Sequence, residues 1–369
     1  MQFGLFSNGQ RHNTVAARTY EEDLHELAVA DALGFREAWI SEHGGGNRPD
    51  QLPAADLLIV AAATMTKQML FGPGIRPLPY NHPLQVAAEA AVCDHLTGGR
   101  YLFGFGTGTL PQLAMQRNVD RAEARAMSAE AIDLILRAWT APEPFDHDGR
   151  YWQGKQINIA PRPLQQPHMP VGVACFHTLA TAEMAGERGF LPLISQYSSI
   201  GFVREMAEAY VRGAEQAGRV PRRSEFRVCR YVYVAESQEQ AKRELRESVN
   251  LGVAYNRGLG QFDEFLAPGD VREQIDFDYL VDHEHFYVGD PDHVVRCVQH
   301  LYDEVGGFGE LMLLVGKDWG TREQRDRSMR LFAEHVMPRL APLDPDAAPT
   351  PARVANGSQR QSTQWVDAR

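Results

Sequence analysis

Short apolar stretches alternate with amphipathic stretches from the first residue to about residue 340. The amphipathic stretches carry apolar side chains three and four positions apart, as at Ile132, Ile135 and Leu136, and this spacing predicts helices. The apolar stretches have the length of buried strands and occupy residues 2–7, 37–41, 69–75, 101–106, 171–175, 191–195, 226–235 and 310–316. Eight strands that each precede a helix favour an α/β fold of the (β/α)8 (TIM) barrel type. An open doubly wound sheet is the alternative.

Two stretches interrupt this alternation. Residues 142–170 follow the fourth helix and are rich in proline, glycine and aromatic residues, which predicts a hairpin-like excursion. Residues 253–290 follow the seventh strand, and their irregular polar-aromatic pattern is long enough for an active-site insertion. Residues 341–369 lack apolar periodicity, which predicts a disordered tail. We therefore expect one domain over residues 1–340, two insertions and a tail.

Composition and charge narrow the class of protein. The net charge of −11 argues against nucleic-acid and membrane-surface partners, because both are polyanions. No secretory signal is visible at the N-terminus, and no apolar run approaches the ~20 residues that span a bilayer. The four cysteines form no C-x-x-C pair and are interpreted as reduced thiols. A cytoplasmic enzyme is the expectation.

Residues suited to chemistry follow the second predicted strand, and in a barrel the site lies at the C-terminal ends of the strands. His43 comes directly after Glu42 and is followed by three glycines. An imidazole beside flexible backbone is suited to proton transfer or to hydrogen bonding with a ligand. A loop histidine without a function is the alternative at this position.

The fifth predicted strand is followed by His177, Thr178 and Thr181, where a helix begins. Two hydroxyls beside the free N–H groups of a helix start predict an anion site, most often for phosphate, although ordinary N-capping would use the same residues. Arg125 falls on the inward face of the fourth helix, where a phosphate would relieve the cost of a buried guanidinium. Pairing with Glu123 or Asp120 is the alternative.

Two further site types are rejected on the sequence. Gly104, Gly106 and Gly108 have the spacing G-x-G-x-G at the fourth strand, whereas a dinucleotide-binding fingerprint needs G-x-G-x-x-G in the first βαβ unit. Residues 282–285 read Asp-His-Glu-His but lack a matching ligand set elsewhere, so we expect a solvated loop and no metal.

Seven segments of the chain, taken in order, form a recognisable set. They are Leu33-Gly34-Phe35, Trp39-Ile40-Ser41-Glu42-His43, Leu78-Pro79-Tyr80-Asn81-His82-Pro83, Asp94-His95-Leu96-Thr97-Gly98-Gly99-Arg100, Arg162-Pro163-Leu164-Gln165-Gln166-Pro167, Val288-Gly289-Asp290-Pro291 and Leu331-Phe332-Ala333-Glu334-His335-Val336-Met337-Pro338. With these segments the chain resembles the bacterial luciferase-like, flavin-dependent monooxygenases over roughly residues 1–340. Within that family it is most similar to the limonene-monooxygenase-like and luciferase α-chain branch.

The resemblance implies a (β/α)8 barrel that takes reduced FMN from a separate NAD(P)H:flavin reductase. Reduced FMN would react with O2 to give a C4a-peroxyflavin, which oxygenates a small apolar substrate such as an aldehyde, ketone or alkene. The family commonly dimerises, so a homodimer is expected.

The resemblance also implies roles for single residues. His43 matches the catalytic histidine, and Arg125, Thr178 and Thr181 match positions that hold the FMN phosphate. Gly74-Ile75 matches a non-prolyl cis peptide beneath the flavin ring. Gly106 and Thr107 stand where luciferase has a cysteine and an arginine beside the flavin, so light emission is not implied. We assign His43 to catalysis. The residues assigned to the cofactor site are Gly74, Ile75, Gly106, Thr107, Arg125, His177, Thr178 and Thr181.

Two other functions fit the same barrel. Some relatives use a deazaflavin coenzyme for hydride transfer without O2, and that coenzyme also has a phosphate at this place. A non-catalytic flavin-binding subunit of the luciferase type is the other alternative, against which the presence of His43 argues. The aromatic residues of 253–290 suggest an apolar substrate but do not identify it.

Overall fold

Twelve strands and twelve α-helices are found in a computed structural model that describes residues 1–7, 15–43, 52–108, 111–176, 178–316 and 318–347. The strands are β1 (Gln2–Ser7), β2 (Glu37–Ile40), β3 (Leu70–Pro73), β4 (Arg76–Pro77), β5 (Phe103–Gly106), β6 (Phe145–Asp148), β7 (Gln153–Ile157), β8 (Val171–Cys175), β9 (Leu191–Ile194), β10 (Arg227–Val234), β11 (Phe286–Gly289) and β12 (Glu310–Leu314). The α-helices are α1 (Ala16–Ala32), α2 (Ala55–Ala63), α3 (Pro83–Leu96), α4 (Pro111–Gln116), α5 (Ala124–Thr140), α6 (Leu179–Arg188), α7 (Ile200–Gln216), α8 (Gln238–Gly258), α9 (Phe277–Asp282), α10 (Pro291–Val305), α11 (Arg322–Leu331) and α12 (Met337–Leu340).

Eight parallel strands form a ring in the order β3-β2-β1-β12-β10-β9-β8-β5. The ring closes between β3 and β5, where Phe71 pairs with Tyr101 in a parallel bridge. At this seam the Phe71 N–H donates to the Arg100 carbonyl at 2.8 Å, and the Leu102 N–H donates to the Phe71 carbonyl at 2.7 Å. The eight ring strands are the eight that the sequence predicted, and the (β/α)8 barrel is confirmed.

The interior of the ring is filled by Trp39 of β2, which is fully buried. Added Cβ atoms at Gly72, Gly104 and Gly172, on three other ring strands, would lie 2.7–2.8 Å from the Trp39 ring. Real Cβ contacts are not this short, so the indole fits because three strands carry no side chain there. Gly104, singled out in the sequence, therefore serves packing.

A buried ionic cluster lies beneath Trp39. The Trp39 indole N–H donates to Glu37 at 2.9 Å, and the Arg227 guanidinium pairs with the same carboxylate at 2.8 Å. Burial and the neighbouring Glu37 charge raise the pKa of Glu310 well above its ordinary value, which favours the protonated form of this carboxyl. The Arg227 guanidinium then balances the charge of the Glu37 carboxylate, because a buried charge needs a partner of opposite sign.

The first insertion has the predicted form, because β6 and β7 make an antiparallel hairpin after α5. The second is shorter than the predicted 253–290. At its start, helix α8 continues to Gly258. At its end, β11 pairs in parallel with the second half of β10, whereas β9 pairs with the first two residues of β10. The remaining residues, 259–285, pack Phe262, Phe265 and Phe277 into the apolar cluster that contains Trp39.

The residues that follow α12 make defined contacts as far as Asp346, which differs from a tail that begins at 341. The N-terminal amine of Met1 donates to the Ala341 carbonyl at 3.0 Å and also to that of Leu343. The Ser224 N–H donates to Asp346 at 3.1 Å. Residues 348–369 lie outside the described part of the chain.

All four cysteines are buried and free, in agreement with the prediction of reduced thiols. In the part of the chain that the structure describes, no helix has both the length and the apolar character that crossing a membrane requires.

Candidate active site

A pocket of about 790 Å³, including its opening to solvent, lies at the C-terminal ends of the ring strands. Residues that follow β2, β3, β5 and β8 form its walls, together with the first turns of α5 and α6. The lining residues are Glu42, His43, Gly74, Ile75, Pro77, Gly106, Thr107, Gly108, Leu113, Arg125, Ala174, Phe176, Thr178 and Thr181.

The pocket brings together the site residues that the sequence predicted from separate strand ends. His43, Gly74, Ile75, Gly106, Thr107, Arg125, Thr178 and Thr181 all line it. His177 lies outside the described residues. These eight residues are far apart in the chain, between positions 43 and 181. They line one cavity because the parallel strands of a barrel all end at the same rim.

Polar donors cluster at the end of the pocket between α5 and α6. Arg125 reaches Thr178, with 3.4 Å between Nη2 and Oγ1, and the Thr178 hydroxyl lies 3.0 Å from that of Thr181. Thr178 is the N-cap residue of α6, yet its side chain makes no capping hydrogen bond within the described chain. The two hydroxyls therefore face Arg125, beside the N–H groups at the start of α6. This arrangement suits an anion.

The sequence analysis was wrong about the burial of Arg125. The residue is exposed, because it lies in the first turn of α5, where the inward face of the helix opens into the pocket. Its proposed partner Glu123 instead pairs with Arg150 at 2.9 Å. Among the described residues, no carboxylate forms an ion pair with Arg125. The guanidinium is thus directed to the pocket without being desolvated in the core.

The middle of the pocket is shaped by Ile75 and Gly106. The Gly74–Ile75 peptide bond is cis, as the family resemblance implied. A Cβ atom added at Gly106 would lie 3.0 Å from two carbon atoms of the Ile75 side chain. Gly106 therefore lets the Ile75 side chain lie against β5, and this packing leaves a flat apolar floor at the centre of the pocket.

His43 lines the pocket just after β2, one residue after Glu42. Its backbone N–H donates to the Leu52 carbonyl at 2.9 Å, which fixes the chain where the strand ends. The side chain is half-buried and lines the pocket. An imidazole in this position can exchange protons with a ligand in the pocket.

Glu42 belongs to a buried ionic cluster behind His43. Its carboxylate lies 3.3 Å from the Arg76 guanidinium, which is also 3.4 Å from Asp56 and pairs with Glu89. Tyr101 donates to Asp56 at 2.6 Å. Burial, and to a smaller extent the charge of Asp56, raises the pKa of Glu42 to about 7 even though Arg76 acts in the opposite direction. The pocket therefore contains a carboxyl group that changes charge near neutral pH.

Several lining residues were missed by the sequence analysis, namely Glu42, Pro77, Gly108, Leu113, Ala174 and Phe176. Glu42 and Phe176 each stand next to a predicted histidine in the chain, and that position was an available signal. The others carry no chemistry of their own, so only the closed barrel reveals them.

Comparisons with known proteins bear on this pocket. The sequence profile of the luciferase-like monooxygenases matches residues 1–307. The chain belongs to this family. This finding confirms the resemblance seen in the sequence, and it makes the chain an oxygenating enzyme of the flavin-dependent class rather than a protein of another barrel family.

Three relatives are similar over most or much of the chain. The 4-hydroxyprotoasukamycin monooxygenase of Streptomyces nodosus subsp. asukaensis is 30% identical over 86% of this chain and 86% of its own. Limonene 1,2-monooxygenase of Rhodococcus erythropolis is 28% identical over 92% and 87%. The oxygenase component of a flavin-dependent trigonelline monooxygenase from Acinetobacter baylyi is 28% identical over 69% and 70%.

Solved structures share the barrel. The oxygenating constituent of 3,6-diketocamphane monooxygenase from Pseudomonas putida, a type II Baeyer–Villiger monooxygenase in complex with FMN, has a TM-score of 0.83. It is 27% identical, with 92% of this chain and 98% of that chain covered. A coenzyme F420-dependent reductase from Methanopyrus kandleri has a TM-score of 0.69 at 20% identity over 92% and 99%, which shows the fold alone.

We expect the stability of the protein to depend on pH through Glu42. Because its pKa is raised from an ordinary 4.5 to about 7, folding favours the protonated form, and the free energy of unfolding falls as pH rises between these values. In Glu42→Gln this contribution is absent. The difference in unfolding free energy between parent and variant should change by ~3 kcal/mol between pH 4.5 and 7.5, measured by urea denaturation.

The exposed Glu247 of α8 provides a control. Glu247→Gln should leave the pH dependence of the parent unchanged in this range. A parent-minus-Glu42→Gln difference that stays constant from pH 4.5 to 7.5 would show that folding does not raise the pKa of Glu42.

Proposed function

We propose that the protein is the oxygenase of a two-component system, which binds reduced FMN at the barrel mouth and uses O2 to oxygenate a small apolar substrate. The observation that carries the proposal is the pocket itself. Anion-binding donors and an imidazole line one cavity, in a chain of the luciferase-like family. When bound, FMN would supply the reaction with O2.

The polar end of the pocket fits the phosphate of a mononucleotide. Arg125, the two hydroxyls of Thr178 and Thr181, and the N-terminus of α6 provide donors around one point. Charge-assisted hydrogen bonds and a helix N-terminus both favour a dianion. A dinucleotide would need a second such place, and the Gly-rich spacing of the chain does not provide its fingerprint.

The remainder of the pocket fits a flat ring. Ile75 and Gly106 form an apolar floor, and Ala174 and Phe176 extend it. His43 would hold or transfer a proton at the reacting edge, and the raised pKa of Glu42 keeps a second proton close to it. These residues would also exclude water from the ring.

Aromatic residues beside the pocket favour an apolar organic substrate. Phe176 lines the pocket and packs on Tyr197, with 5.9 Å between ring centroids. Tyr197 in turn packs on Phe262 of the insertion at 5.5 Å. Side chains of this kind bind apolar molecules through buried area. The named relatives act on a ketone, a terpene and other organic molecules, which agrees with this class.

FMN is favoured over a deazaflavin coenzyme. A solved relative at 27% identity binds FMN, whereas the F420-dependent relative matches less well in both fold and sequence. The need for a separate reductase is supported by a relative that is itself an oxygenase component.

Homodimerisation stays a prediction. It rests on the family to which the chain belongs. Sedimentation that finds only monomer at micromolar concentration would contradict it.

Arg125→Ala should weaken the binding of reduced FMN about tenfold to thirtyfold. The guanidinium is exposed, so its charge-assisted contact with phosphate belongs to the lower part of the usual range, ~1.5–2 kcal/mol. Anaerobic titration with reduced FMN measures the effect. Thr178→Val and Thr181→Val should each have a smaller effect, because each removes one neutral donor.

The exposed Arg330 of α11 is the matched control, and Arg330→Ala should bind reduced FMN like the parent. Riboflavin separates the phosphate from the ring, so its affinity should be the same in the parent and in Arg125→Ala. Equal loss of riboflavin and FMN affinity would mean that Arg125 does not bind the phosphate.

His43→Ala should slow turnover by about 10²–10⁴-fold, the usual contribution of a general acid or base, with the affinity for reduced FMN nearly intact. Reduced flavin should then be consumed with release of hydrogen peroxide in place of oxygenated product. A peroxide assay and product analysis on one sample measure both quantities.

His82→Ala is the control, because this histidine lies outside the pocket, caps α3 and packs on Trp152. It should leave the ratio of peroxide to product unchanged. Normal turnover without extra peroxide in His43→Ala would make His43 the loop histidine that the sequence left open.

A further inference from the structure

A second group of chemically active side chains lies on α10 and in the turn that precedes β11. His293 and Cys297 stand one helical turn apart on the buried face of α10, with 3.4 Å between Nε2 and Sγ. Glu284 precedes β11 by two residues, and one carboxylate oxygen lies within 4.8 Å of both atoms. None of the three residues lines the pocket described above.

The three ligand types suit a zinc-like cation. Thiolate, imidazole and carboxylate are the usual zinc ligands, at ~2.3 Å for sulfur and ~2.0–2.1 Å for nitrogen. Tetrahedral angles at these bond lengths separate sulfur and nitrogen by ~3.6 Å, close to the separation between Cys297 and His293. Both side chains thus already stand at ligand spacing, with their rotamers fixed by the packing of α10.

The surroundings favour a site with three protein ligands. His293 and Cys297 are 9% and 2% exposed, whereas Glu284 is exposed, so one side of the group faces solvent. Gly289 of β11 gives the imidazole its space, because an added Cβ would lie 2.8 Å from the His293 ring. A cation could enter from the solvent side and keep water as its fourth ligand.

The geometry points to a divalent zinc-type site formed by Glu284, His293 and Cys297. On binding, the metal–sulfur bond replaces the S–H bond of Cys297, and the proton passes to solvent. The bound ion would join α10 to the end of the insertion 259–285, which packs over the barrel mouth. The site is therefore structural, and it is independent of the proposed function.

Residues 282–285 were expected to form a solvated loop without metal, and this inference revises that expectation for one of them. His283 stacks on Tyr279, with 4.1 Å between ring centroids, and His285 stacks on Phe265 at 4.2 Å. Lys242 pairs with Asp282. Only Glu284 faces α10, where the other two ligands come from farther along the chain.

Cobalt(II) is the probe that tests the site, because a cysteine thiolate bound to Co2+ gives a charge-transfer band in the near ultraviolet. The full chain, freed of metal with a chelator, should bind one equivalent of Co2+ with this band, and Zn2+ should abolish it. Cys297→Ala should lose the band. Glu284→Gln should bind Co2+ at least ten times more weakly.

Cys93→Ala is the matched control, since Cys93 is also a buried helical cysteine. It should keep the band and the affinity of the parent. No sulfur-to-cobalt band in the parent, or a band that survives in Cys297→Ala, would overturn the proposal. Glu284 is exposed and its variant should fold, so an unchanged affinity in Glu284→Gln would also overturn it, whatever the fate of Cys297→Ala.

Discussion

Closure of the strand ring at one seam is the constraint on which the site depends. Both backbone groups of Phe71 are used there, one toward Arg100 and one toward Leu102. The seam joins β3 to β5, so the ends of β2, β3, β5 and β8 follow one another along the rim and border one pocket. Without closure His43 and Thr178 would belong to opposite edges of an open sheet.

The closed ring must also have room in its interior for the side chains that point inward. Trp39 occupies that space because Gly72, Gly104 and Gly172 have no Cβ to oppose its ring. The most conspicuous glycine pattern of the sequence therefore has two functions. Gly104 accommodates the tryptophan of the core, while Gly106, two residues later, accommodates Ile75 at the floor of the pocket. Core packing and ligand space are set by the same strand.

Two of the buried ionic clusters have different consequences. Beneath Trp39, one guanidinium and two carboxyls share charge where solvent does not reach, and their effect is on stability. Behind His43, Arg76 stands beside three carboxyls, one of which lines the pocket. Burial, together with the charge of Asp56, is what keeps a proton on Glu42 near neutral pH.

The sequence predicted the eight ring strands and the convergence of the site residues, because each strand is a continuous apolar run and each site residue follows one. It missed β11, whose burial arises from pairing with β10 far away in the chain. The exposure of Arg125 was missed because helical periodicity does not say where a face opens to solvent. The pKa of Glu42 depends on Arg76 and Asp56, and no local pattern contains all three.

The metal-type group was missed for the same reason. Its ligands lie on both sides of a strand, so the spacing along the chain does not resemble a ligand motif. Local sequence patterns thus predict the strands and helices, and also the rim of the barrel at which the strands end. The charge balance of buried groups and the sets of metal ligands arise from contacts between elements that are distant in the chain. They are therefore found only once the fold is known.

The central claim is that the pocket binds reduced FMN and controls its reaction with O2. Stopped-flow absorbance after mixing the protein–FMNH2 complex with oxygenated buffer tests it most directly. The account predicts that oxidised FMN appears only after a delay, during which a species with neither the reduced nor the oxidised spectrum is present. Return to oxidised FMN without delay, at the rate of free flavin, would contradict the account.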